Sequence, residues 1–213
     1  MLIYTGNSSG RALEEVKRLG MGIMICTTPS GSVDKEWKGL PLALDNGAFS
    51  CWNRGLPFMS DVFRNQIVAV HKNGLSLNFM VCPDLIGRGK KSLDFSMKWA
   101  RGELLSCGRL ALAVQDGMTP AMVDERNPEE YFNTIFVGGT KEWKWNNAGD
   151  WVEYAHSKGL KCHIGRCGTL DKMLYAHDIG ADSVDSTNFT RNKTWNVVED
   201  FEKIVGLRGT MFD

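Results

Sequence analysis

The 213-residue sequence holds no apolar run long enough to span a bilayer, so no membrane partner is expected. Its opening residues, Met1-Leu2-Ile3-Tyr4-Thr5, are too short and too uncharged for a signal peptide and read as a first strand. No internal repeat, low-complexity tract or linker divides the chain, which predicts a single domain over 1–213. Charge of one sign is also missing: Lys plus Arg and Asp plus Glu each number 25. That balance neither requires nor excludes a nucleic-acid partner, because binding depends on where cations cluster. Six cysteines (26, 51, 82, 107, 162 and 167) are scattered with no Cys-x2-Cys pair. Reduced thiols in a cytoplasmic protein are the expectation. Cys162-His163 with Cys167 is the one local Cys/His cluster; without paired spacing it predicts no metal site.

What the chain does have is a series of short apolar runs. Candidate strands are Leu2–Tyr4, Gly22–Cys26, Leu40–Leu44, Asn78–Cys82, Leu110–Gln115, Thr134–Val137, Lys161–Ile164 and Ser183–Val184. Helical patterns lie between many of them: Arg11–Leu19, Met59–His71, Lys91–Leu105, Ala148–Ser157, Leu170–Asp178 and Val197–Val205. Near-continuous apolar strands suit a parallel sheet buried on both faces. Eight of them predict an α/β fold, a compact (β/α)8 TIM-like barrel, with an open doubly wound sheet as the alternative. The segment Thr27–Gly39 reads as an irregular loop replacing a helix.

In such a barrel the residues just past each strand gather on one face, where active sites sit. Those tips include Asp45 and Asn46, Asp84, Gln115 and Asp116, Gly138 and Gly139, His163 and Arg166, and Asp185. They describe one polar pocket with several carboxylates. Asp45-Asn46-Gly47 also suits a plain turn, because those residues favour turns for backbone reasons. Asp45 and Asp185, brought together by folding, suggest a nucleophile and a general acid/base, the division used for substitution at an anomeric carbon. Neighbouring carboxylates push their pKa values apart, which leaves one proton donor and one ionised group. Asp84 and Gln115 offer acceptors and donors for the edge of a heterocycle, and Gly138-Gly139 lets backbone amides approach closely. Phe49 could stack on a ring or sit in the core below the pocket. His163 counts with these substrate-binding tips. Three basic clusters, Arg88-Gly-Lys90-Lys91, Lys141-Glu-Trp143-Lys144-Trp145 and Arg191-Asn-Lys193-Thr-Trp195, read as solvated loops. Two of them carry Trp, which beside Lys can stack bases and hold phosphates.

These residues carry a resemblance. Leu44-Asp45-Asn46-Gly47-Ala48-Phe49 resembles the Asp-Ser-Gly-Gly-aromatic turn of the tRNA-guanine transglycosylases. Val114-Gln115-Asp116-Gly117 is similar to their Val-Gln-Gly-Gly, Phe136-Val137-Gly138-Gly139 to their Gly-Gly strand end, and Gly165-Arg166-Cys167-Gly168-Thr169 to their Met-Gly-Val-Gly-Thr. Gly180-Ala181-Asp182-Ser183-Val184-Asp185 with Thr190-Arg191 downstream resembles their Gly-Val-Asp-x-Phe-Asp and Thr-Arg.

The resemblance implies Asp185 as the nucleophile on C1′ and Asp45 as the group handling protons on the departing and incoming bases. It implies Asp84, Gln115 and the Gly138-Gly139 amides as readers of the base, with Phe49 stacked on it. Pro83-Asp84-Leu85 departs from the family's Phe-Asp-Glu. No cysteine follows 167, so the C-terminal zinc subdomain of the tRNA enzymes is not expected. A lean, zinc-free member resembles the phage-type DNA-guanine transglycosylases, which exchange guanine in DNA for a 7-deazaguanine. That branch implies DNA, free guanine and a free 7-deazaguanine as partners, no cofactor, and the cytoplasm (the host's, if phage-encoded). A target base must leave the stack, with a helper protein as a possible opener of the duplex. Trp143, Lys144, Trp145, Arg191, Lys193 and Trp195 are the candidates for holding the opened strand. The alternatives are a tRNA enzyme working with a partner subunit, a non-catalytic nucleic-acid-binding homologue, and a glycosidase.

Overall fold

The computed structural model describes residues 1–27, 29 and 33–210. Eight parallel strands close into a barrel in sequence order: β1 (Leu2–Thr5), β2 (Gly22–Ile25), β3 (Leu42–Leu44), β4 (Phe79–Val81), β5 (Leu110–Val114), β6 (Phe132–Val137), β7 (Lys161–Ile164) and β8 (Ser183–Asp185). Closure comes from β1 against β8, with Leu2 opposite Ser183 and Tyr4 opposite Asp185. All eight expected runs are strands. Leu40 and Pro41 fall outside β3, whose ladder with β2 begins at Leu42.

Helices cover the outside: α1 (Gly10–Arg18), α2 (Ala48–Asn53), α3 (Ser60–Lys72), α4 (Lys90–Arg101), α5 (Pro120–Asp124), α6 (Lys141–Ser157), α7 (Leu170–Asp178), α8 (Asn188–Arg191) and α9 (Trp195–Thr210). Among the described residues no helix is long and apolar enough to cross a membrane. Between β2 and β3 the chain makes a 3-10 turn at Lys35–Trp37, and the Trp37 indole N–H donates to the Ser8 carbonyl at 2.7 Å. The expected irregular loop there is partly regular, and its residues 28 and 30–32 lie outside the described residues.

Two corrections concern the basic clusters. Lys141–Trp145 is the start of α6, not a solvated loop, because the Thr140 hydroxyl caps it by accepting the Trp143 N–H. Likewise Lys90 and Lys91 open α4, while Arg191 ends α8 and Trp195 begins α9.

Strand alternation divides the core in two. Residues such as Ile23, Leu42, Met80, Leu112, Ile135 and Val184 face outward and pack in the large layer beneath the helices. Tyr4, Met24, Ala43, Phe79, Val81, Ala111 and Ala113 face inward and fill the barrel, with Phe136 against them. Gly22 is required by this filling: a Cβ there would stand 2.6 Å from the Tyr4 ring. The Tyr4 hydroxyl accepts from the Asn78 side chain at 2.8 Å.

The same alternation dictates what lies one layer up. Two residues beyond inward-facing Met24, Ala43, Ala113, Phe136 and His163 come Cys26, Asp45, Gln115, Gly138 and Gly165, all lining one cavity. Asp185 follows Ser183 by the same step. The apolar filling thus stops below a layer of acids, an amide, a thiol and two glycines.

Candidate active site

The cavity at this mouth holds about 740 Å³. Its size suits a planar heterocycle with part of a sugar. Asp185, at the end of β8, is half-buried. His163 Nε2 stands 3.0 Å from its Oδ1, and the Arg166 backbone N–H donates to the same oxygen at 3.3 Å. His163 is fully buried, its Nδ1 lies 2.8 Å from Ser183 Oγ, and its ring stacks on Phe136 at 4.7 Å. A carboxylate can only accept, so the imidazole proton belongs on Nε2 and Nδ1 accepts from the serine. His163 therefore holds the Asp185 carboxylate from below and lies out of reach of a ligand in the cavity.

Asp45 leaves the tip of β3. Its backbone N–H donates to Ile25 at 2.9 Å, and its carboxyl accepts from the Asn46 and Gly47 backbones. Burial, then the nearby Asp185 charge, pushes its pKa from 3.8 up to about 6, against those two hydrogen bonds. Gly47 takes a left-handed φ of 76°, turning the chain at once into α2.

Asp84 is clamped by two amides. Asn46 Nδ2 donates to its Oδ1 and Gln115 Nε2 to its Oδ2, both at 2.9 Å. Burial dominates and pushes its pKa up to about 7; Asp45 adds to the rise and the amides oppose it. Gln115 has little left to offer a ligand, since its Nε2 also donates to Ser92 Oγ and its Oε1 accepts from the Gly87 N–H. Gln115 thus stands on the cavity wall as the group that orients Asp84. Asn46 does the same from the other side and also ties α2 to the floor: its Nδ2 donates to the Cys82 carbonyl and its Oδ1 accepts from the Ala48 N–H, both at 2.8 Å.

The glycines are committed differently than their amides suggested. Gly138 N–H donates to Val114 in the sheet at 2.9 Å. Gly139, at φ 76°, has no room for a Cβ, which would meet Trp143 at 2.6 Å and the Asp116 carboxylate at 2.7 Å. Asp116 itself accepts from the Thr140 backbone and hydroxyl, fixing the start of α6.

Phe49, in the first turn of α2, is exposed at the mouth, and the Arg166 guanidinium lies 4.7 Å from its ring centre. Arg166 has a left-handed φ of 62° and also donates to the Gly139 carbonyl. It spans the mouth from the β7 side to the β3 side.

The nucleic-acid candidates divide. Lys144 is buried, and its ammonium donates to the Gly165 carbonyl behind the strand tips. Burial first, then Arg166, lowers its pKa to about 8. Trp143, Trp145 and Trp195 are half-buried against the outer core. Arg191 and Lys193 are exposed, and of the six only Arg191 lines the cavity. Arg54, Arg166, Lys172 and Arg191 make up the cationic rim, and among the described residues none forms an ion pair. Sequence reading named Asn46 and Arg166 as tips without giving them roles, and it missed Arg54 and Lys172. Arg54 follows the end of α2 and Lys172 lies in α7, both well past the strand ends.

Cys26 lines the cavity as a thiol whose pKa is raised to about 11 by burial and then by Asp45. All six cysteines are free. Among the described residues no group of three or more His, Cys, Asp and Glu side chains could hold a metal ion. Cys162 and His163, adjacent in β7, belong to opposite faces of the strand. No protein-family model matches this chain, and a search of curated proteins finds no significant match.

Proposed function

We propose that this chain is a DNA-guanine transglycosylase that replaces guanine with a 7-deazaguanine base by double displacement. The observation that carries the reading is the carboxylate pair facing one cavity in unlike surroundings. Asp185 is held by His163 and a backbone N–H, while desolvation and the Asp185 charge push the Asp45 pKa up to about 6. The rim cations above them, which have no ion-pair partner among the described residues, suit the phosphates of a polyanion, and the order of motifs along the chain agrees.

In the first step an Asp185 oxygen attacks C1′ and the C1′–N9 bond breaks, its electron pair passing to the purine. Protonated Asp45 supplies the proton that leaves guanine neutral. In the second step Asp45, now a carboxylate, takes the N9 proton of the incoming base. That nitrogen attacks C1′ and releases Asp185. Protons and charge balance over the cycle, so the exchange calls for no cofactor. Asp84, poised near neutrality and fixed by two amides, can accept from or donate to the edge of the base.

The test is trapping. Wild-type protein incubated with guanine-containing single-stranded DNA should give a band shifted on a denaturing gel, and Asp185→Ala should abolish it. Exchange of labelled guanine without any adduct would remove Asp185 as nucleophile. Incorporation of label into tRNA but not DNA would move the substrate to tRNA.

A further inference from the structure

We propose that Trp52, beside Phe49 on α2, is a stacking platform for the nucleobase next to the target in single-stranded DNA. This rests on the base-exchange reading of the cavity. Sequence reasoning looked for strand-holding aromatics at Trp143, Trp145 and Trp195, but those rings pack against the outer core. Trp37, Trp99 and Trp151 are buried. Trp52 is the exposed tryptophan, at 55%, and its ring lies 5.8 Å from that of Phe49 with 36° between their planes.

The platform is continuous with the cavity. Phe49, Ser50, Asn53 and Arg54 of the same segment all line it, and Trp52, which does not, adjoins it through its ring contact with Phe49. It is also rigidly placed, because Asn46 joins the first residue of α2 to Asp84 on the floor. A base leaving the cavity therefore meets Phe49 first and Trp52 next.

Charge selects the occupant. An apolar protein partner would gain nothing from a cationic rim, whereas a single strand offers bases for the rings and phosphates for Arg54, Arg166 and Arg191. Aromatic stacking with cationic tracking of the backbone is the general solution for holding a single strand.

The experiment titrates the intact protein into a dye-labelled, guanine-containing single-stranded DNA oligonucleotide at low salt and reads anisotropy. Trp52→Ala should weaken binding by about 5- to 150-fold, the range for losing one base–aromatic stack. Trp52→Phe should restore most of that loss, and thermal melting of both variants should match wild type because the side chain is exposed. Unchanged affinity in Trp52→Ala overturns the platform, and if wild type still forms the Asp185 adduct the base-exchange reading stands. Trp52-dependent binding without any adduct keeps the platform and removes the chemistry. No binding by wild type overturns the platform. A dimer that Trp52→Ala dissociates, with affinity for DNA unchanged, would assign the patch to a second copy instead and overturn the proposal.

Discussion

Replacing Asp45 with asparagine removes a carboxyl that the fold holds in its neutral form well above the ordinary range. The native pKa is about 6 against 3.8, because the group is desolvated and faces Asp185. Between these values the native state binds a proton that the unfolded state has released, so stability falls as pH rises through that window. Above pH 6 the penalty is complete and corresponds to about 3 kcal/mol at most. Asparagine keeps an oxygen for the Asn46 and Gly47 backbones and carries no charge. Asp45→Asn should therefore be more stable than wild type at pH 8, by up to about 3 kcal/mol, and indistinguishable from it near pH 4. Urea melts at several pH values measure this directly. The gain should shrink in an Asp185→Asn background, since removing the neighbouring charge relaxes the Asp45 pKa, and the double-mutant cycle reads that coupling. A difference that stays constant from pH 4 to pH 8, or a loss at pH 8, refutes the reasoning. Base exchange should be lost in either variant, the usual opposition between stability and a functional charge.

Lys144 makes the opposite case. Its ammonium is buried with a pKa lowered from 10.5 to about 8, so the unfolded state binds the extra proton and stability rises with pH across that window. The difference between wild type and Lys144→Met should change by up to about 3 kcal/mol between pH 7 and pH 10.5, measured by urea melts; a flat difference would return the ammonium to solvent. Gly165→Ala should disturb Asp185, the proposed nucleophile, from behind. Its Cβ would stand 2.9 Å from Phe136 and 3.4 Å from the Asp185 carboxylate, and Phe136 carries the His163 that holds Asp185. A loss of about 1–3 kcal/mol in stability and slower adduct formation are expected; wild-type rates of trapping would show that the strand tip yields freely.

The barrel was legible because its strands are buried on both faces and so read as apolar runs whatever their neighbours do. Their parity carried further than the runs themselves. Asp45, Gln115 and Asp185 each stand two residues past an inward-facing side chain, which is enough to bring them into one layer. Parity also placed His163 one layer lower, among the filling, although reading it as a strand tip put it in contact with substrate. Counting from the inward Phe136 across β6 to its partner His163 would have corrected that. The short helix α2 has no sequence period to find, being less than two turns, and its position is set by the left-handed turn at Gly47 and the Asn46 side chain. Lys144 was illegible for a different reason. Lysine is almost never buried, and only the packing of α6 against β7 brings a carbonyl to its ammonium.

These misplacements point one way. Of the sequence-named residues that line the cavity, Asp45, Asp84, Gln115, Gly138, Gly139 and Asp185 stand at strand tips, where chain direction fixes orientation, whereas Phe49 and Arg191 belong to short helices. The strand-holding residues were sought in the later loops, where Lys and Trp alternate, but those residues belong to helices, where the 3.6-residue period and packing on the barrel decide which side chains turn inward. On α6 packing buries Lys144 and sets Trp143 and Trp145 against the outer core. On α2, too short to bury a full face, Phe49 is left exposed where it lines the cavity, and Trp52 is left exposed against the Phe49 ring. Two exposed aromatic rings in contact therefore stand at the cavity mouth, Phe49 lining it, beside cations with no ion-pair partner among the described residues. A site that had only to hold a free base would need neither.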